Sequence, residues 1–351
     1  MKKVLFILKR REDYNAVMHS NIGLSTGLYN SASFVHKNLL DNGVESKLVV
    51  VADNNDIDRE VTLFKPTHVI IEALWVVPEK FTILQKLHPT VTWIIRLHSE
   101  MPFMAGEGIA MDWIGDYSTF ENVVIAINAP RFYDEMFAYL KLKNSWSVNE
   151  TKKRVIYLPN YYPQHYKSKK FDYIKSYIDI GCFGAVRPLK NHLVQAHAAI
   201  QFAESIGKNL NFYVNTGRIE MKGDPVLHNL RGLFGQLYKQ GHRLINYGWR
   251  PHDSFLNICA KMDMGLQVSF SETFNIVSAD MISQGVPVVS SSELPWAAWG
   301  TTADPTSTKD IVRKLQYSYK YPQLNVMANQ YSLTRYTNKT EKIWLKYFKE
   351  N

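Results

Sequence analysis

Residues 269–289 read Ser-Phe-Ser-Glu-Thr-Phe-Asn-Ile-Val-Ser-Ala-Asp-Met-Ile-Ser-Gln-Gly-Val-Pro-Val-Val. The apolar run Met264–Val268 before them is typical of a buried strand, and the small polar residues that follow predict a loop. A helix ending at Gly285 and a strand at Val286–Ser290 come next. Such a loop places backbone amides and the positive end of a helix at the carboxyl edge of a parallel sheet. The stretch therefore predicts an α/β domain whose sheet edge accepts an anion such as a diphosphate.

The rest of the chain shows the same alternation of short apolar runs and helical stretches. In the first half it predicts parallel strands with helices on both faces of the sheet, at Val4–Leu8, Ser46–Val51, His68–Glu72, Thr92–Leu97 and Val123–Ile127. In the second half it predicts strands at Tyr177–Phe183, Leu210–Asn215 and Leu244–Tyr247, and helices at His192–Ile206, Ser307–Tyr317 and Asn338–Tyr347. A length of 351 residues suits two such domains better than one.

The alternation stops between Asn149 and Lys175, where tyrosines, prolines and lysines predominate, so we predict the hinge there. We expect an N-terminal Rossmann-like domain over residues 1–160, a second over residues 161–330, and a C-terminal helix over residues 331–351 that packs back on the first domain. Basic residues are dense from Thr151 to Lys175, where Asp172 is the acidic residue among them: Lys152, Lys153, Arg154, Lys167, Lys169, Lys170 and Lys175. This segment suits either a solvated linker or a surface that contacts a polyanion such as double-stranded DNA.

Composition indicates a folded protein, because 46% of the residues are hydrophobic and 21% are charged. The apolar run Val4–Leu8 is shorter than the roughly 7–15 residues of a signal peptide, and no stretch approaches the roughly 20 apolar residues of a membrane span. Cys182 and Cys259 lack metal-ligand spacing and are interpreted as buried apolar residues in a reducing compartment. We therefore expect a cytoplasmic location without stable membrane insertion.

A second informative stretch is Ile180-Gly-Cys-Phe-Gly-Ala-Val-Arg-Pro-Leu-Lys-Asn-His192, a strand followed by a turn of small residues. Arg187 and Lys190 are spaced to converge on one anionic group. In the 269–289 stretch, Glu272 and Asp280 lie eight positions apart. On spacing alone, the two acids suit either ligand hydroxyl groups or ordinary solvated and capping positions.

Together these stretches resemble the donor site of the GT-B glycosyltransferases, especially glycosyltransferase family 4, in which two acids lie eight positions apart before a Gly-x-Pro-Val-Val ending. Tyr247-Gly-Trp-Arg-Pro251 and a helix at Asp253–Met262 recur between the two stretches in the same order. The resemblance is specific over residues 177–297 and architectural over the first 150. It implies two Rossmann-like parallel-sheet α/β domains facing across a cleft.

The resemblance further implies a UDP- or GDP-sugar as donor substrate and transfer of a hexosyl or pentosyl group with retention at the anomeric carbon. Arg187 and Lys190 would grip the diphosphate, Glu272 the sugar hydroxyls and Asp280 the ribose. Further donor contacts would come from Thr273, Phe274, Asn275, Ile276 and Val277. The family usually has Glu as the second acid, so Asp280 is a departure that leaves the choice of nucleotide open.

In the first domain, Gly27 follows Ser25 and Thr26 at a helix start, where related enzymes often contact the donor phosphate. A plain helix cap explains this pattern equally well. His98 at the end of a strand corresponds to a histidine near the acceptor hydroxyl, which makes it a catalytic candidate beside Glu272, Arg187 and Lys190. Two nearby acids, Glu100 and Glu107, are weaker acceptor-side candidates.

No metal or separate cofactor is expected. Asp56 and Asp58 form an Asp-x-Asp pattern, but they lie in an Asn/Asp-rich loop after a strand of the first domain. Arg187, Lys190 and helix amides would neutralise the diphosphate instead. A nicotinamide dehydrogenase is disfavoured, because Lys9-Arg-Arg-Glu-Asp-Tyr14 follows the first strand where a glycine fingerprint would be required.

The acceptor is less determined than the donor. The chain resembles, loosely, bacteriophage-encoded glycosyltransferases that modify hydroxymethylcytosine in DNA, which implies a DNA acceptor and action in the host cytoplasm. A cell-surface glycan, lipid-linked or small-molecule acceptor is the alternative. A non-catalytic nucleotide-sugar-binding protein is a further alternative, since fold does not fix function.

Overall fold

The chain forms two α/β units in the computed structural model, which describes residues 2–10 and 27–350. The first unit comprises the chain up to Pro163 together with the segment from Thr337 onward, and the second comprises Gln164–Tyr336. The predicted cap residues Ser25 and Thr26 lie outside the described residues.

The described part of the first unit contains a six-stranded parallel sheet in the order β2-β1-β3-β4-β5-β6. The strands are β1 (Lys3–Lys9), β2 (Glu45–Val51), β3 (His68–Glu72), β4 (Thr92–Leu97), β5 (Val123–Ile127) and β6 (Val155–Tyr157). The helices are α1 (Gly27–Asp41), α2 (Asp56–Phe64), α3 (Lys80–Leu87), α4 (Met101–Met104), α5 (Ala110–Tyr117), α6 (Pro130–Lys143) and α7 (Val148–Arg154).

Both faces of this sheet are buried, which explains why its strands read as nearly continuous apolar runs. Leu5 and Ile7 belong to one core cluster, whereas Val4 and Phe6 of the same strand belong to the cluster on the other face. The second of these clusters also contains Trp344 from the C-terminal segment.

The described part of the second unit contains a five-stranded parallel sheet in the order β11-β10-β7-β8-β9. The strands are β7 (Tyr177–Gly181), β8 (Asn209–Val214), β9 (Arg243–Asn246), β10 (Met264–Gln267) and β11 (Val288–Ser290). The helices are α8 (His192–Ser205), α9 (Asp224–Gln236), α10 (His252–Cys259), α11 (Ile276–Ser283), α12 (Thr308–Lys320) and the first part of α13 (Pro322–Leu345), whose residues from Thr337 onward belong to the first unit.

The strand order of the second sheet positions the candidate site. The chain leaves β7 toward β8 on one side, and β10 pairs with β7 on the other side. The carboxyl ends of β7 and β10 therefore form a topological switch point, where open parallel sheets bind ligands. The loops that leave these two ends carry the residues at 182–191 and 268–275.

Within the described ranges, the structure contains no helix whose length and apolar character would let it cross a membrane.

Candidate functional site

Hydrogen bonds join the loop after β10 to the turn after β7. The backbone N–H of Phe270 donates to the carbonyl of Leu189 at 2.9 Å. Gln195 of α8 accepts from the backbone of Val268 at 2.7 Å and donates to the carbonyl of Lys190 at 2.6 Å. These bonds hold two loops from distant parts of the chain side by side.

Two glycines on neighbouring strands let α11 lie close to the sheet. Gly181 of β7 faces Gly265 of β10, and Met281 of α11 packs over both. A Cβ atom on Gly181 would lie 2.8 Å from Cε of Met281, and a Cβ atom on Gly265 would lie 2.6 Å from its Sδ. A larger residue at either position would displace the side chain of Met281. The two glycines thus leave the space that Met281 of α11 fills against the sheet.

Glu272 and Lys190 form a buried ion pair at this edge. Lys190 Nζ donates to Glu272 Oε1, and the two residues are 9% and 8% exposed. Asn275 Nδ2 donates to the same carboxylate oxygen at 3.1 Å. Burial raises the pKa of Glu272, but the charges of Lys190 and Arg187 and the hydrogen bonds outweigh it, so the pKa lies below its ordinary value. Glu272 is therefore ionised at neutral pH.

Arg187 lies on the same turn as Lys190. Its Nη1 donates to Glu220 Oε2 at 3.1 Å, and Glu220 also pairs with Arg218. Backbone hydrogen bonds of Val186 with Arg218 and Glu220, at 2.9 and 3.0 Å, align the two loops. The carboxyl edge thus presents a guanidinium and an ammonium group on one turn, the pair of cations that suits a diphosphate.

Several buried polar side chains around this edge have no hydrogen-bond partner among the described residues. They are both ring nitrogens of His192, Oγ of Ser278 and Oγ of Ser291. Burial, with the charges of Lys190 and Arg187, lowers the pKa of His192 to about 3, so the ring is neutral and carries one N–H. Buried donors without partners are uncommon and costly in folded proteins.

The residues between Glu272 and Asp280 have different roles. Asn275 caps the N-terminus of α11 with a left-handed backbone (φ 60°), and its Oδ1 accepts from the backbone N–H of Ser278 at 2.9 Å. Phe274 is a core residue whose ring contacts Trp296 and Tyr336, so its side chain is directed into the fold. The remaining predicted contacts, Thr273, Ile276 and Val277, are half-buried at the start of the helix.

Replacing Asn275 with Ala should destabilise the second unit by about 1–2 kcal/mol or more, because it removes a helix cap, leaves a non-glycine residue in the left-handed region and removes the hydrogen bonds that Nδ2 donates to Glu272 and Gln267. Urea unfolding measures the change. Ser307→Ala, which removes only the cap of α12, is the control and should cost less, without affecting ligand binding. An unchanged midpoint for Asn275→Ala would contradict the capping role.

Asp280 pairs with His252, which the sequence did not single out. Nε2 of His252 lies 2.8 Å from Oδ1 of Asp280, which is itself almost fully buried in the second turn of α11. The structure therefore brings Arg187, Lys190 and Glu272 into one cluster and places Asp280 in a separate pair within the same unit.

His98, in the first unit, is held at the carboxyl end of β4. Its Nε2 contacts the carboxylate of Glu72, and Asn128 Nδ2 lies 3.3 Å from its Nδ1. Arg96 donates to both oxygens of Glu72, at 3.1 and 3.2 Å. Burial and the charge of Arg96 lower the pKa of His98, outweighing Glu72, so the ring is neutral at neutral pH. A donating Asn128 places the ring proton on Nε2.

The other first-unit candidates have simpler surroundings. Gly27 is the exposed first residue of α1. Glu100 is buried and pairs with Arg131 of α6. Glu107 is half-buried in the loop between α4 and α5.

The two acids of the Asp-x-Asp pattern have protein partners. Asp58 lies 2.7 Å from His88, and Asp56 pairs with Arg59 at 3.1 Å. No group of three or more His, Cys, Asp or Glu residues suited to a metal ion occurs in residues 2–10 and 27–350.

The sequence analysis did not identify three residues that bind candidate site residues. Glu220 binds Arg187, His252 binds Asp280 and Glu72 binds His98, over separations of 33, 28 and 26 residues. The sequence contains a signal for one of these partners, Glu72. It ends a predicted strand and His98 follows another, so both are expected at the carboxyl edge of the same sheet.

No protein-family model matches the chain, and no curated protein is significantly similar to it in sequence. Solved structures do resemble it. An α,α-trehalose-phosphate synthase (UDP-forming) from Burkholderia vietnamiensis has a TM-score of 0.66 at 8% identity, covering 99% of this chain and 96% of its own. A sucrose-phosphate synthase from Thermosynechococcus elongatus has a TM-score of 0.66 at 12% identity, with 99% and 97% covered.

A mutant of TarM from S. aureus, in complex with fondaparinux, α-GlcNAc-glycerol and UDP, has a TM-score of 0.56 at 12% identity, covering 80% of this chain and 55% of its own. At identities this low, the likeness establishes fold alone. The predicted fold class is confirmed: the chain has two parallel-sheet, Rossmann-like α/β domains of the GT-B class.

Proposed function

We propose that the chain is a glycosyltransferase that moves a sugar from a nucleotide-sugar donor to an acceptor hydroxyl. The observation that carries the proposal is the cluster of Arg187, Lys190 and Glu272 at the switch point of the second sheet. Solved structures with this fold include a UDP-forming synthase and a protein bound to UDP, which supports a nucleotide-linked donor.

The proposed chemistry depends on stabilising the departing diphosphate. Arg187 and Lys190 supply positive charge where negative charge grows on the leaving group, in a partly buried setting that strengthens the interaction. Glu272, ionised and fixed by Lys190 and Asn275, accepts hydrogen bonds from sugar hydroxyls.

The finer assignments extend the same proposal. The donor is a UDP- or GDP-sugar with a hexosyl or pentosyl group, the nucleotide lies on the Asp280 side, and transfer retains the anomeric configuration, as in glycosyltransferase family 4. His98 is assigned to the acceptor side, where Glu72 and Asn128 fix the orientation of its neutral ring.

For the acceptor, we propose a hydroxymethylated base of the hydroxymethylcytosine type in bacteriophage DNA, with a cell-surface glycan, lipid-linked or small-molecule acceptor as the alternative. The basic hinge supports the DNA acceptor. Within it, Arg154, Lys169 and Lys175 bind protein groups, whereas Lys152, Lys153, Lys167 and Lys170 are exposed. Exposed lysines suit a phosphate backbone.

A nucleotide-release assay with UDP-, GDP- and ADP-sugars tests the proposal, with and without duplex DNA containing hydroxymethylcytosine. We expect release with one donor, stimulation by this DNA, and loss of the stimulation as salt rises, because phosphate contacts weaken through counterion release. Unmodified DNA of the same sequence is the matched control.

The outcomes separate the alternatives. Release that is indifferent to DNA but stimulated by a glycan or lipid-linked acceptor retains the transferase and removes the DNA acceptor. Donor binding without turnover under any condition indicates a non-catalytic nucleotide-sugar-binding protein and contradicts the proposed function.

A further inference from the structure

His252 and Asp280 form a pair whose two members differ sharply in exposure. His252 is the first residue of α10 and Asp280 lies in the second turn of α11, with Nε2 and Oδ1 2.8 Å apart. The side chain of Asp280 is 2% exposed, whereas that of His252 is 21% exposed. The imidazole is therefore the member of the pair that faces outward.

The charges around His252 favour its protonated form. The acids that act on it are Asp280, from the neighbouring helix, and Asp253, its neighbour in α10. Burial lowers the pKa of His252, but the hydrogen bond and charge of Asp280 together with Asp253 outweigh it, so the pKa lies above its ordinary value. Burial and Asp280 raise the pKa of the Cys259 thiol well above its usual range, so Cys259 is neutral and adds no charge.

The two members of the pair are held in different surroundings. The carboxylate of Asp280 is buried, and the imidazole of His252 that binds it is the more exposed of the two groups. A buried carboxylate that binds an imidazole nitrogen fixes the orientation of the ring and stabilises its charge. His252, held in this way, is the member of the pair that a ligand approaching from solvent would meet first.

On this geometry we propose that the charged imidazole of His252 contacts the nucleotide part of the donor directly, and that Asp280 is a positioning residue that orients and charges the ring. The inference rests on the proposed function and adds the binding residue and its pH dependence. A cation here also attracts the donor diphosphate. Donor affinity must therefore fall as pH rises through the pKa of His252, because the ring loses its charge.

Isothermal titration of the full chain with UDP-glucose and GDP-glucose between about pH 6 and 9 tests the inference. The diphosphate of a nucleotide sugar is a diester that does not titrate in this range. We expect the affinity of the wild-type protein to fall about tenfold across it, which corresponds to a pKa about one unit higher in the complex than in the free protein.

Two variants distinguish the roles within the pair. His252→Gln retains a donor for Asp280 and should bind with a low, pH-independent affinity. Asp280→Asn should move the midpoint of the affinity change to lower pH, because the ring loses its counter-charge, and should leave the affinity at high pH nearly unchanged. His228→Gln, which alters an exposed histidine of α9, is the matched control and should keep the wild-type profile.

Each contrary result has one meaning. A pH dependence that survives in His252→Gln overturns the inference, and so does an equal loss of affinity at every pH in Asp280→Asn, since the carboxylate would then contact the ribose itself. Wild-type binding that is independent of pH overturns the inference but leaves the proposed function standing. Absence of binding by the wild-type protein at any pH overturns both.

Discussion

Replacing Glu272 with Gln is expected to lower kcat for sugar transfer by about 10²–10³-fold while the protein stays folded. Gln has the same length and still accepts hydrogen bonds from Lys190 and Asn275. It lacks the negative charge that holds the sugar hydroxyls and balances Lys190. Ala is a poorer choice, because it leaves the ammonium group of Lys190 buried without its partner and mixes instability with loss of catalysis.

Steady-state release of the nucleoside diphosphate measures this effect, and circular dichroism verifies the fold. Glu121→Gln, at an exposed carboxylate of the first unit, is the matched control and should retain full activity. A Glu272→Gln protein with wild-type kcat would show that this carboxylate takes no part in the reaction.

Replacing Arg96 with Met is expected to destabilise the first unit by about 3–5 kcal/mol, because it leaves the carboxylate of Glu72 buried with a single partner. Arg96 is fully buried, and its guanidinium lies 5.1 Å from the ring centre of Trp344. Its hydrogen-bond acceptors are Glu72, the carbonyls of Leu158 and Pro159, and the side chain of Asn160. Urea unfolding followed by tryptophan fluorescence measures the loss.

The double variant Arg96→Met/Glu72→Leu should recover part of this stability, since it removes the unpaired charge as well. Arg59→Met, at an exposed arginine of α2, is the control and should change stability by no more than about 0.5 kcal/mol. A single Arg96→Met variant as stable as the wild-type protein would contradict the importance of this buried network.

The sequence was most informative about the strands of the first sheet. His68–Glu72, Thr92–Leu97 and Val123–Ile127 are strands with the predicted bounds. These central strands are short runs of apolar residues buried on both faces, which is the pattern expected of parallel strands. Polar or turn-forming residues follow the strands that end at Leu97 and Ile127. The bounds of the edge strand in the second sheet were predicted less accurately. A strand was predicted from Val286, whereas β11 begins at Val288, because Pro287 has no N–H to contribute to the sheet.

The C-terminal helix shows why periodicity fails in places. A helix was predicted at Asn338–Tyr347, whereas α13 begins at Pro322. Its early core-facing positions include Asn325 and Asn329, which are buried and bind the backbone of Val288 and Ala298 at 2.9–3.0 Å. Buried amides in place of apolar residues remove the hydrophobic pattern by which a helix is recognised.

For the candidate site, the sequence located the loops but not the contacts between them. The motifs predicted Arg187, Lys190 and Glu272 as site residues, and the structure places these three residues in one cluster. The partners Glu220 and His252 depend on which loops the strand order makes adjacent, and no local pattern encodes that. The sequence also gave no reason to expect that Phe274 packs into the core.

Titration of the protein with UDP-glucose and GDP-glucose, for the wild-type chain and for Arg187→Met, tests most directly whether the edge of the second sheet holds a nucleotide-sugar diphosphate. Arg187→Met is the cleanest variant, because Glu220 keeps Arg218 as a partner. We expect binding by the wild-type protein that weakens at least about tenfold in Arg187→Met and is unchanged in the Arg59→Met control. Equal binding by Arg187→Met and the wild-type protein would place the donor elsewhere and contradict the proposed diphosphate site.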